Sequence, residues 1–170
     1  EFGGAASVAP RFHAKLHRMQ PGGVTREELL DRVAYAAKVG ARRLWLQGGE
    51  PAEHPAFLEL LGEAREVGLS SGIRTMAHAF ATPGLAQRAR ALGLDHATVI
   101  VIGGDAERHE ASCGPGTWAR FALGVEALAL AGIHRSAELV ITPGDEAAAE
   151  AAAARLRSSG IEIEATWSSC

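Results

Sequence analysis

One punctuation recurs along the chain and constrains its fold more than any other feature: a helical apolar pattern, then glycine, then a short β-branched or apolar run. It reads Val39-Gly40 into Leu44-Trp-Leu46, Val67-Gly68 into Gly72-Ile-Arg-Thr75, Leu92-Gly93 into Val99-Ile-Val-Ile102, Ala131-Gly132 into Leu139-Val-Ile141 and Ser159-Gly160 into Ile161-Glu-Ile163. Glycine just past a helix supplies the left-handed residue that satisfies the last carbonyls, and the chain then turns into a strand. Repeated αβ junctions of this length predict an α/β fold with a parallel sheet, wound as an open doubly covered sheet or as a barrel or part-barrel. The starts of the helices agree. Thr25-Arg-Glu-Glu28 has the form of a capping box ahead of Leu29, Leu30, Val33, Ala36 and Ala37. Pro55, Pro83 and Thr117-Trp118 are expected to open the next three helices, and the alanine-rich stretch 147–154 reads as another. Val99 to Ile102 is apolar at every position, as a parallel strand covered by helices requires.

Size and charge narrow the function classes. The 170 residues predict a single domain over 6–170, with residues 1–5, including the pair Gly3-Gly4, as a tail outside it. Seventeen Lys and Arg against 20 Asp and Glu give a formal charge of −3, dispersed along the chain, so neither nucleic acid nor an anionic membrane is an expected partner. No apolar run approaches the roughly 18 residues of a membrane span, and Cys113 and Cys170 form no CxxC pair. A reducing, cytoplasmic setting is expected.

In parallel α/β folds ligands bind at the carboxyl ends of the strands. That rule places Gln47 to Pro51, Thr75 to His78, Gly103 to His109 and Thr142 to Asp145 on the functional rim, and His96 and His134 at the opposite end. Glycines at a strand end let a ligand approach the backbone, and a carboxylate there can accept from an amine.

Read together, these residues resemble the core domain of the radical S-adenosylmethionine enzymes. Leu46-Gln-Gly-Gly-Glu-Pro-Ala-Glu-His-Pro55 is similar to that family's GGEP motif, Arg74-Thr75 to the end of its third strand, and Gly104 to Glu110 with Gly114-Pro-Gly-Thr-Trp118 to its segment after the fourth. The resemblance implies a partial (βα) TIM-type barrel of about five to six parallel strands with outer helices. It also implies that Gly48, Gly49, Glu50, Pro51 and Thr75 line the site for the methionine end of S-adenosyl-L-methionine. The bland alternative is that GGEP is a helix-entry turn.

The family's three cluster thiolates lie in a CxxxCxΦC loop after the first strand. The register that keeps the aromatic puts Ala6, Pro10 and His13 in those places, and alanine and proline offer no ligand atom, so a [4Fe–4S] cluster is not expected. The implied protein is a degenerate, cluster-less pseudoenzyme without radical chemistry, acting as a module that binds a small-molecule ligand or assembles with a partner protein. With few residues ahead of Ala6 for a first strand, the strand bearing Leu44 and Leu46 is expected to be an uncovered edge, open to homodimer or edge-strand pairing.

Two other readings stand beside it. His13, His17, His78 and His109, with His54, Glu50 and Cys113 as further donors, are candidate ligands for zinc or another divalent metal, which would support a hydrolase or lyase. His13 and His17 would share one face of a helix. The third reading is a fragment or variant of an active radical enzyme. Asp105, Glu107 and Glu110 fit helix-start roles better than acid/base catalysis. Cys113 has no adjacent cation to activate it. Trp45 is expected beneath helices, and Glu162 and Glu164 share a face as edge charges or barrel-interior carboxylates.

Overall fold

The computed structural model describes residues 12–15, 24–141, 144, 146–158 and 160–167. Its elements run β1 (Phe12–Lys15), α1 (Arg26–Lys38), β2 (Arg43–Gln47), α2 (Phe57–Glu66), β3 (Ser70–Thr75), α3 (Leu85–Ala91), β4 (Leu94–Ile102), α4 (Ala106–Cys113), α5 (Thr117–Leu130), β5 (His134–Ile141), α6 (Glu146–Ser158) and β6 (Glu162–Trp167). The six strands form one all-parallel sheet in sequential order, the order of a barrel wall.

The glycine cadence is physically what it reads as. Gly40, Gly68, Gly93, Gly132 and Gly160 all have positive φ. After four of them the next residue donates its N–H five residues back into the helix: Ala41 to Ala36, Leu69 to Ala64, Ile133 to Leu128 and Ile161 to Leu156. Those four side chains are all buried, so each junction closes the helix carbonyls and anchors the next strand in one motif. Thr25 and Glu28 form the expected capping box. The prolines sit slightly earlier than expected. Pro51 opens a 3₁₀ turn at Pro51–Glu53, while Pro55 lies before α2, and Gly84 intervenes between Pro83 and α3.

The two faces of the sheet differ. Leu44, Leu46, Ile73, Ala97, Val99, Val101, Ala137 and Leu139 form the core with Leu29, Val33, Phe57, Leu60, Leu61 and Leu128 of the helices. Register puts Trp45, Gly72, Arg74, His96, Thr98, Ser136 and Glu138 on the other, inner face. Trp45 is therefore not beneath helices. Its ring lies across β3 where Gly72 has no side chain; a Cβ there would meet Trp45 Cζ3 at 2.1 Å.

Two further expectations are corrected. β2 is not an uncovered edge, because β1 pairs with it from Phe12↔Leu44 to Lys15↔Gln47. And His13 lies inside that strand, so it shares no helix face with His17, which falls outside the described residues, as do Ala6 and Pro10. His96 and His134 are at the amino end, as expected, but within β4 and β5. Asp95 is an extra residue between the pairs Ser71↔Leu94 and Gly72↔His96, and this bulge turns His96 to the inner face.

Candidate functional site

The rim is built at the ends of β2 and β3. Gly48 and Gly49, with φ of 99° and 61°, swing the chain so that Glu50 points back toward β3. Its carboxylate accepts from Thr75 Oγ1 at 2.6 Å, from Met76 N at 2.9 Å and, more weakly, from Ala52 N at 3.4 Å, where it caps the 3₁₀ turn begun by Pro51. Thr75 Oγ1 in turn accepts from Ala77 N at 2.8 Å. Burial pushes the Glu50 carboxyl above its usual range, and the bonds from Thr75, Met76 and Ala52 only partly offset this. A carboxylate has about four acceptor positions. Thr75, Met76 and Ala52 take three of them.

Beyond β3 the chain passes through Ala77, a non-glycine residue in the left-handed region at φ 61°, fully buried beneath α5. It then presents His78, whose Nε2 lies 3.2 Å from Nε2 of His109 on α4. His109 is fully buried, enclosed edge-on by Trp118 and obliquely by Phe121, and its Nδ1 has no hydrogen-bond partner among the described residues. Burial holds both imidazoles below their ordinary value, and for His78 the neighbouring His109 and Arg120 add to the effect while Glu53 opposes it. In the Nε2–Nε2 contact one ring donates and the other accepts, according to their tautomers.

The inner face carries a second polar constellation. His96 Nε2 is 3.0 Å from Ser136 Oγ, which lies 2.9 Å from Thr98 Oγ1. The rings of Trp45, His96 and His134 follow one another at centroid spacings of 5.2 and 4.9 Å. Nearer the rim, Arg74 on β3 and Glu138 on β5 form an ion pair across β4.

The structure thus gathers Gly48, Gly49, Glu50, Pro51 and Thr75 into one turn. Of the four histidines considered as metal ligands it joins only His78 and His109. No group of three or more His, Cys, Asp or Glu that could hold a metal ion exists among the described residues. His54 is used locally, its Nδ1 accepting from Ala56 N at 3.1 Å. Asp105 caps α4 through Arg108 N, as a helix-start acid should. Cys113 ends α4 with its thiol pushed up by burial. Thr142, Pro143 and Asp145 lie outside the described residues. Glu164 stands beside Glu138 in register, which puts the Glu162 and Glu164 positions on the inner-facing side. Sequence reasoning missed Arg74, Trp45 and the His96–Ser136 contact. The signal was the alternation His134, Ser136, Glu138 against Ala137, Leu139 along β5.

The sequence profile described as the Radical SAM superfamily matches residues 14–156. The chain belongs to the radical SAM superfamily. A curated relative, the AdoMet-dependent heme synthase of Methanosarcina barkeri (strain Fusaro / DSM 804), is 31% identical over 108 residues, which are 63% of this chain and 31% of that protein. Among solved structures, methylornithine synthase superposes with a TM-score of 0.60 at 18% identity, over 85% of this chain and 44% of that one. Streptococcus suis SuiB bound to S-adenosylmethionine matches at a TM-score of 0.43 and 11% identity, over 90% and 45%. The chain spans less than half the length of each of these proteins. The fold expected from sequence, a part-barrel of parallel strands with outer helices, is the fold observed.

The donors present do not fit a [4Fe–4S] cluster. Because β1 occupies Phe12–Lys15, Phe12 and His13 belong to the strand and not to a loop after it. The segment that follows it, Leu16-His-Arg-Met-Gln-Pro-Gly-Gly23, contains no cysteine, so either register offers no thiolate. Among the described residues no helix is long and apolar enough to cross a membrane.

Proposed function

We propose that this radical SAM domain is a cluster-less ligand-binding module that takes the amino-acid end of S-adenosylmethionine or a related nucleotide at the Gly48–Pro51 turn and performs no radical chemistry with its own residues. The observation that carries the reading is chemical: reductive cleavage needs an electron from a cluster held by three thiolates, and no cysteine precedes Cys113. The rim supports ligand binding without one. Two glycines expose the backbone at the strand end, and the raised pKa of the half-buried Glu50 favours a cationic partner that would hold it ionised. Binding at such a site positions a ligand's amine and leaves the sheet's inner face for the remainder.

Isothermal titration of the chain with S-adenosylmethionine and S-adenosylhomocysteine, repeated on Glu50→Ala, tests this directly. Saturable binding that weakens at least tenfold in the variant is expected, with no stoichiometric iron after anaerobic reconstitution. A brown protein carrying four irons per chain would overturn the cluster-less reading, and silent titrations would overturn the ligand.

A further inference from the structure

Charges that are dispersed along the sequence are sorted by the fold. All strands are parallel, so each connection leaves from the carboxyl rim and returns to the amino end of the sheet. First helical turns carry acids: Glu27 and Glu28 in α1, Glu59 in α2, Glu107 in α4 and Glu146 in α6. Last turns carry bases: Lys38 in α1, Arg65 in α2, Arg88 and Arg90 in α3 and Arg157 in α6. Arg42 and Arg43 at the entry of β2 and Arg135 near the start of β5 add to the same end. The acids there are Glu63 and Glu66 in the last turn of α2, Asp95 and Glu162. The amino end is therefore a basic face on a chain whose formal charge is −3. At the rim Arg26 and Arg108 are paired with Glu59 and Asp105, whereas no carboxylate among the described residues pairs with Lys38, Arg42, Arg88, Arg90, Arg135 or Arg157.

Helix dipoles explain part of this sorting, since acids favour first turns and bases last turns. They do not explain the rest. Arg42, Arg43 and Arg135 lie outside helices, and the same end exposes apolar side chains that no dipole rewards. Val39 and Val67 stand just past α1 and α2, and Leu130, the last residue of α5, is 77% exposed. Among the large apolar side chains exposed in the described residues, only Leu123 stands away from this end. All the cations but Lys38 are arginine, whose weakly hydrated fork suits carboxylates and packed interfaces, where lysine is depleted. A continuous phosphate backbone would meet the interleaved Glu63, Glu66, Asp95 and Glu162 and would leave the apolar side chains without partners. A protein surface with carboxylates set around an apolar patch satisfies both kinds of group. We propose that the amino end of the sheet, opposite the Gly48–Pro51 turn, is a docking face for an acidic partner protein, which sets carboxylates on the arginines and apolar groups on Val39, Val67 and Leu130.

The probe is a fluorescein-labelled peptide that alternates glutamate pairs with leucines, titrated with the chain and read by anisotropy. Saturable binding is expected although both molecules are net negative, and it should be about tenfold tighter than that of an all-glutamate peptide of equal charge. The triple variant Arg42→Gln, Arg88→Gln, Arg90→Gln replaces exposed side chains and should weaken the peptide about tenfold at about 0.05 M salt, with a smaller loss at about 0.3 M. Val67→Ser with Leu130→Ser should weaken it at both salt concentrations, because an apolar contact is not screened. Glu27→Gln with Glu107→Gln at the rim is the control and should leave the affinity within about twofold. A urea midpoint for every variant confirms that it folds. Absence of binding, an all-glutamate peptide that binds equally well, or affinity unchanged in the arginine variant overturns the proposal. Tighter binding of a random-sequence DNA duplex or of phosphatidylserine vesicles also overturns it, replacing the protein partner by nucleic acid or membrane. Titration with S-adenosylmethionine reports on the opposite end of the sheet, so the ligand-binding reading stands or fails separately.

Discussion

Gly124, in the middle of α5, is the point at which the helix crosses the rim, and Gly124→Ala tests how tightly that crossing is set. A Cβ at 124 would stand 1.9 Å from the carbonyl oxygen of Ala77 and 2.8 Å from its carbonyl carbon. Two effects oppose. Replacing glycine by alanine inside a helix gains about 0.5–1 kcal/mol from reduced freedom of the unfolded chain. Against this, the obstruction is backbone and cannot rotate away, so the helix or the turn must withdraw by about 1 Å, and overpacking of this kind costs about 1–3 kcal/mol or more. Ala77 is fully buried and its N–H is held by Thr75, so the upper part of that range applies and the expected net loss is about 2 kcal/mol. For a domain of this size that is a fall of about 4–8 °C in Tm by circular dichroism. Gly62→Ala in α2 is the internal control. Its Cβ would find only Leu92 Cδ2 at 3.8 Å, so the same substitution there should raise stability by about 0.5–1 kcal/mol. In Gly124→Ala, and not in Gly62→Ala, the imidazole resonances of His78 and His109 should move, because the turn that carries His78 must shift. Equal stability of Gly124→Ala and the parent chain, or the same sign for both substitutions, would refute the packing argument.

Thr75→Val removes at once a donor to Glu50 and the acceptor for Ala77 N–H at a fully buried position; a loss of about 2 kcal/mol in urea denaturation is expected, and an unchanged midpoint would show that the network does not hold the rim. The histidine pair sets a pH dependence whose sign follows from its depressed pKa values. A base held below its unfolded value of about 6.5 contributes fully above that pH and loses its contribution as pH falls toward the folded pKa, so stability should decline below about pH 6.5 by up to about 1.4 kcal/mol per pH unit for His109. Urea midpoints from pH 7.5 to 5 measure this, with His109→Leu expected to flatten the slope; identical slopes in both proteins would remove the pair from the account.

What the sequence made legible is what is decided locally. Each αβ junction is settled by a glycine that can take positive φ and an apolar residue just after it, both within reach of one helix end, so the cadence and the part-barrel could be read directly. The capping box of Thr25 and Glu28 and the Asp105 cap are equally local. The faces of the sheet are not. Alternation correctly separated Trp45 from Leu44 and Leu46, yet only the packing of Leu44 and Leu46 against α1 and α2 decides which side is inside. Gly72, 27 positions away from Trp45, supplies the groove that lets the indole lie on the other side. The bulge at Asp95 changes the face of His96, and it depends on how β4 pairs with β3, which the sequence of β4 alone does not report. His78 and His109 belong to segments following different strands, so their 3.2 Å approach has no sequence spacing that reports it, whereas His13 and His17 had an attractive spacing that a strand abolishes.

The contacts of Glu50 also bear on what a GGEP turn can prove. Its carboxylate ties β2 to the end of β3 through Thr75 and Met76, and Thr75 then positions Ala77 beneath Gly124. Every link in that series is a folding interaction, needed whether or not a cluster stands nearby. The turn is therefore weak ground for inferring radical chemistry, because the fold alone requires it. Three thiolates after β1 would be the reverse case, since nothing in the pairing of β1 with β2 calls for cysteine there. The positions that discriminate are the thiolates, and the segment from Leu16 to Gly23 supplies no cysteine for them.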